Sequence, residues 1–132
     1  MKISSTKMML LNELYTVEQI NREDNSNKLA VLIRLNPYHD IFKGHFPGNP
    51  ILPGVCIIQI MKEILINELD SYLVLNKIKS IRFLSFINPN VNGLINLDIE
   101  IKEMGNGNFY CDASVFSESV IFCRFKGYAS YL

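Results

Sequence analysis

Residues 55–69, VCIIQIMKEILINEL, are the only long helical pattern in the chain, and that pattern is apolar on nearly every side. Val55, Ile57, Ile58, Ile60, Met61, Ile64, Leu65, Ile66 and Leu69 cover most of the circumference. Gln59, Lys62, Glu63, Asn67 and Asp70 leave a narrow polar stripe at three- and four-residue spacing. So narrow a stripe requires a helix surrounded by other structure. Pro53 and Gly54 stand at its start, where a missing amide hydrogen costs least.

Outside the helix the apolar period is two. Residues 94–104, LINLDIEIKEM, place Ile95, Leu97, Ile99 and Ile101 on one face and Asn96, Asp98, Glu100 and Lys102 on the other. Residues 108–116 alternate again, with Phe109, Cys111, Ala113 and Val115 inside, and residues 120–132 close the chain as a further strand. Residues 78–87, IKSIRFLSFI, read as a strand ended by NPNVNG. Earlier, 8–14 suit a short helical turn, and 15–22 and 28–35 suit a hairpin joined by the turn chemistry of EDNSN. The order is hairpin, loop, enclosed helix, then a meander. The expected architecture is α+β, one domain over residues 1–132, with a curled antiparallel sheet wrapped around one long central helix.

Composition narrows the function classes. Thirteen basic and thirteen acidic side chains cancel, which argues against nucleic acid or an anionic membrane as the main partner. Lys77, Lys79, Arg82, Arg124 and Lys126 lie on the late strands, as a basic patch or as an ordinary solvated face. The apolar run Met8–Leu11 is too short for a signal-peptide core. No stretch approaches the roughly 18 apolar residues of a membrane span. Cys56, Cys111 and Cys123 are odd in number and sit among apolar residues, so they read as small buried hydrophobes in a reducing compartment, the cytoplasm. No Cys or His pair has metal-ligand spacing, and no metal site is expected.

The chemistry gathers in residues 36–54, which hold four of the five prolines (Pro37, Pro47, Pro50, Pro53) and so form neither helix nor central strand. The apolar residues Ile41, Phe42, Phe46, Ile51 and Leu52 hold this stiff loop against a core. It carries His45, whose ordinary pKa suits proton exchange near neutrality. Gly44 and Gly48 beside it allow close backbone approach to a ligand. The loop runs into a helix N-terminus at Gly54–Val55, whose free amide hydrogens can receive a carbonyl oxygen acquiring negative charge. A base beside such a site is the pair needed to remove a proton from the carbon next to a thioester carbonyl. His39, six residues earlier, reads as structural.

GHFPGNPILPGV, residues 44–55, resembles the signature of the 3-hydroxyacyl-[acyl-carrier-protein] dehydratases, the FabZ/FabA-like family of fatty-acid synthesis with the hotdog fold. The match is dense over residues 42–58 and weaker at IRFLSFINP, 81–89, and the family's Leu-Pro-His-Arg opening is absent. The resemblance implies that His45 takes the α-proton, that the Gly54 amide polarises the carbonyl, and that Phe46, Pro53 and Val55 help to bind substrate. It also implies a Glu or Asp fourteen positions after the histidine to protonate the departing hydroxyl. That position is Gln59, and the Gln expected four residues later is Glu63. A carboxamide holds a hydroxyl by hydrogen bonds but has no acidic proton to deliver. Glu63 either supplies the carboxylate from one turn further in or merely meets solvent and Lys62's neighbourhood, with Gln59 satisfying a buried hydrogen bond. Three functions stay open: a dehydratase of 3-hydroxyacyl thioesters, a hotdog thioesterase, or a non-catalytic thioester-binding subunit completed by a homologue. The implied partners are acyl carrier protein and a second subunit, as homodimer, oligomer of dimers or heterodimer. The only implied cofactor chemistry is the phosphopantetheine arm that carries the substrate.

Overall fold

The computed structural model describes residues 9–23, 26–44 and 48–132. Six strands and one long helix follow the chain as β1 (Tyr15–Arg22), β2 (Lys28–Leu35), a 3-10 turn (Asp40–Phe42), α1 (Gly54–Leu69), β3 (Leu73–Phe83), β4 (Leu94–Gly105), β5 (Asn108–Ser117) and β6 (Val120–Tyr131). One antiparallel sheet contains all six strands in the order β1-β2-β4-β5-β6-β3. This is the hotdog architecture expected from the sequence.

Alternation decides which face each strand turns inward. Leu29, Val31, Ile33 and Leu35 of β2 are buried, as are Ile95, Leu97, Ile99 and Ile101 of β4 and Phe109, Cys111, Ala113 and Val115 of β5. Against this face lies α1, in which Val55 is the one exposed residue. The small side chains of Cys111, Ala113 and Ala129 face Ile58, Met61 and Leu65 across a void of about 30 Å³, room for about one water. All three cysteines are buried and free. No helix among the described residues is long and apolar enough to cross a membrane.

Two elements differ from the sequence reading. Strand β3 begins at Leu73, five residues before the expected start, because the helix stops abruptly at Asp70. Asp70 adopts a left-handed conformation (φ 52°, ψ 40°), and its amide bonds back to the Ile66 carbonyl. The strand also ends at Phe83 rather than 87. Beyond it the chain must cross from the β6 side of the sheet to the β2 side, where β4 pairs. The connection is pinned along the way: Leu84 and Ser85 donate to the Phe122 carbonyl, the Ile87 carbonyl accepts from Leu52, and Ile87 itself is buried. Where β3 rides on β6, Gly127 is required: a Cβ there would stand 2.8 Å from the Lys77 carbonyl oxygen, inside the contact limit.

Burial pushes the Cys111 and Cys123 thiols up to about 11. It also raises the Tyr15 hydroxyl, helped by the nearby Glu63 carboxylate. In the unfolded chain these thiols ionise near 9. The stability they contribute is therefore complete below pH 9 and is lost as pH rises towards 11. Urea unfolding followed from pH 7 to 11 should show a flat midpoint up to about pH 9 and a steep fall above it. A midpoint unchanged to pH 11 would contradict the burial.

Candidate functional site

The N-terminus of α1 is open. Pro53 occupies the capping position with extended backbone (φ −62°, ψ 144°) and no side chain caps the helix. The Pro53 carbonyl accepts from Cys56 at 3.0 Å and Ile57 at 3.3 Å, so the amides of Gly54 and Val55 have no acceptor among the described residues. Gly54 stands in the wall of a cleft of about 270 Å³ lined also by Pro53, Ile57, Phe83, Ser85 and Phe86, among others. The walls are almost wholly apolar, so an acyl group suits the cleft and a charged ligand does not. Gly54 permits this closeness: the Phe83 ring lies against it, and a Cβ at residue 54 would fall 2.5 Å from the ring's Cζ.

Pro53 and Gly54 both line this cleft, at the start of α1. Val55 does not line the cleft; it is 75% exposed on the outer side of the helix. His45 and Phe46 lie outside the described residues. Phe83, Ser85 and Phe86 were missed; the only signal for them was their place in the weak second half of the resemblance, residues 81–89.

Gln59 and Glu63 form a direct pair: Gln59 Nε2 donates to Glu63 Oε2 at 2.8 Å. The expectation that Glu63 belongs to a solvated stripe with Lys62 is wrong. Its residue is 1% exposed and is the one buried charged residue of the described chain. Oε1 accepts from the Leu11 amide at 2.9 Å, the Tyr15 hydroxyl at 3.1 Å and the Leu10 amide at 3.3 Å. The Leu10 amide also reaches Oε2 at 3.1 Å. A carboxylate sealed from water needs donors on both oxygens, and the segment before β1 folds back to supply them. Every partner of this carboxylate among the described residues donates to it.

His39 is structural, as expected: its Nδ1 accepts from the Ile41 amide at 3.0 Å and caps the 3-10 turn. Among the described residues no group of three or more His, Cys, Asp or Glu side chains is arranged to hold a metal ion.

A lone helix under one antiparallel sheet, with its N-terminus beside an apolar cleft, defines a hotdog-fold protein. Residues 20–120 match the family described as ApeI-like, ApeI dehydratase. A 3-hydroxyacyl-[acyl-carrier-protein] dehydratase FabZ of Levilactobacillus brevis is 30% identical over 120 residues, covering 82% of this chain and 80% of the relative. A FabZ of Wolbachia pipientis subsp. Culex pipiens is 35% identical over 111 residues, covering 79% and 78%. Among solved structures, the dehydratase heterocomplex ApeI:P from Xenorhabdus doucetiae aligns with TM-score 0.68 at 19% identity, over 87% of this chain and 96% of that one. A hypothetical thioesterase with coenzyme A from Streptococcus pneumoniae aligns with TM-score 0.62 at 14% identity, over 89% and 85%. These two structural likenesses establish the fold. The chain belongs to the ApeI-like dehydratase family, and its function is that of a hydro-lyase.

Removing the Glu63 carboxylate strands two backbone amides, the Tyr15 hydroxyl and the Gln59 amide at once. Glu63→Ala should therefore lower the unfolding free energy by about 3–5 kcal/mol, and Tyr15→Phe by about 1–3 kcal/mol. Chemical denaturation of the three proteins checks both; a cost under about 1 kcal/mol for Glu63→Ala would refute the network.

Proposed function

We propose that the protein eliminates water from a 3-hydroxyacyl thioester carried on the phosphopantetheine arm of acyl carrier protein. The observation that carries this reading is the start of α1, where the Gly54 amide, without an acceptor among the described residues, stands in the wall of an apolar cleft. A thioester carbonyl placed there gains negative charge as its α-proton leaves. One preorganised donor for that charge is worth about 3–4 kcal/mol. The acyl chain enters beside Phe83 and Phe86. No further cofactor is needed for the elimination.

His45 of the GHFPG motif is the base. It takes the α-proton, the C–H electrons form the new double bond, and the C3–O bond breaks. The leaving hydroxide needs a proton. Gln59 has none to give, and Glu63 is enclosed by donors. The imidazolium that has just formed returns its proton and water departs, so the elimination balances with a single proton carrier. A dedicated acid is typically worth about 10²–10⁴ in rate, and that factor sets how far this protein falls short of one with a carboxylic acid at residue 59.

Two surfaces suit the proposed partners. Strand β3 is an edge strand with an exposed outer half, and Ile78, Phe83, Leu84 and Phe86 (77% exposed) add apolar area beside Val55. An open edge with that much apolar surface calls for a partner, and we assign it to a second hotdog subunit paired through β3. Basic residues line strands β3 and β6: Arg82 stands opposite Arg124, Lys126 lies between Ser80 and Asp112 of its neighbouring strands, and the Lys79 ammonium lies 5.9 Å from the Tyr110 ring centre. An acidic carrier protein suits those strands.

Purified protein given a 3-hydroxyacyl carrier protein should form the enoyl thioester. Free thiol instead would assign a thioesterase, and neither product a non-catalytic subunit. Gln59→Glu should raise the rate about tenfold or more by supplying an acid. Arg82→Glu with Arg124→Glu should raise KM for the carrier-bound substrate while leaving a small N-acetylcysteamine thioester unaffected. For the edge, Ile78→Lys should halve the mass seen by light scattering; an unchanged mass would remove β3 as the interface.

A further inference from the structure

Gln59 and Glu63 lie one helical turn apart, about 6 Å along the axis, on the same face as Val55. The row Val55, Gln59, Glu63 runs from 75% exposed through half-buried to 1% exposed. Gln59 sits at the boundary, bonded inward and open outward. The inward bond settles which way its amide points, because only the NH₂ end can donate to a carboxylate. Its carbonyl oxygen Oε1 has no partner among the described residues.

Glu63 is unusually well fixed for this task. Two backbone amides and a tyrosine hydroxyl hold the carboxylate from the other side, so it has no alternative partner to turn to. Donation to an anion also polarises the amide and makes its oxygen a stronger acceptor.

We infer that Glu63 is a positioning residue: it locks the Gln59 carboxamide in one orientation, with Oε1 presented on the Val55 face of the helix, away from its own subunit's cleft, as the acceptor that holds the hydroxyl of substrate bound in the cleft of the second subunit assigned above. The segment around Leu10 and Leu11 belongs to the same device, since its amides fix Glu63. The kinetic consequence rests on the dehydratase reading; the orientation of the amide does not. The rate benefit is orientation, where a misplacement of about 1 Å costs as much as ~10²-fold.

The chain has two glutamines, Gln19 and Gln59, so the side-chain amide signals in a ¹⁵N–¹H spectrum are assigned by Gln59→Leu alone. In the unmodified protein one Gln59 amide proton should be shifted downfield and slow to exchange. In Glu63→Gln that signal should move to the ordinary amide position, with kcat down about 10- to 100-fold and KM changed less than about threefold. The double variant Gln59→Glu/Glu63→Gln restores one carboxylate and one carboxamide, and should regain at least the original kcat. A folded Glu63→Gln protein with kcat and the Gln59 signal both unchanged would reduce Glu63 to a tie for residues 10–11. Should Glu63→Gln not fold, the unmodified protein still decides: two Gln59 amide protons at ordinary positions, exchanging freely, overturn the inference. A shifted amide in a protein that forms no enoyl product overturns the reaction and leaves the orientation standing.

Discussion

One constraint shapes this molecule: a helix that is apolar on nearly all sides has to be enclosed, and a single sheet is the only other structure the described chain offers. Six strands curl round α1 and leave Val55 as its only exposed residue. Curling demands small residues where the layers approach, and Cys111, Ala113 and Ala129 meet that demand on β5 and β6. It also leaves ends. At the start of the helix proline supplies no capping side chain, so the Gly54 and Val55 amides find no acceptor among the described residues. The uncapped helix start is thus a by-product of the way the core is closed.

A second consequence concerns charge. Enclosing the helix also encloses its polar stripe, and a carboxylate on that stripe must find donors or cost several kcal/mol. Glu63 finds them in a segment 48 to 53 residues away, at Leu10, Leu11 and Tyr15. That long-range tie joins the chain before β1 to the middle of α1, and local propensity contributes nothing to it. Folding of the N-terminal region and the electrostatics of the helix are one problem here.

The elements were largely legible because their signals are local. Turn residues bound β1 and β2, alternation marks β4 to β6, and the helix limits are set by Pro53 and by the left-handed Asp70. Strand β3 was read with the wrong limits because LVLNK does not alternate, and an edge strand with an exposed outer half has little reason to. Its far end was misread because FLSFI looks like a continuing strand, whereas the chain there crosses between the two sides of the sheet and Ile87 turns into the core. Within the site, Gly54 and Pro53 were legible from proline chemistry and motif. The environment of Glu63 was not: a helical residue's sequence neighbours give its face, but partners half a chain away leave no local mark.

The exchange of acid and amide between positions 59 and 63 now has a physical logic. The two side chains meet at 2.8 Å, and two carboxylates at that distance do not both stay ionised. The backbone amides of Leu10 and Leu11 favour the negative charge at 63, on the inner side. With the charge committed there, residue 59 must donate a hydrogen bond, and glutamine does so without adding a second charge. The carboxamide at the position of the expected acid is then not an isolated loss. It follows from placing the one carboxylate where the fold itself needs it.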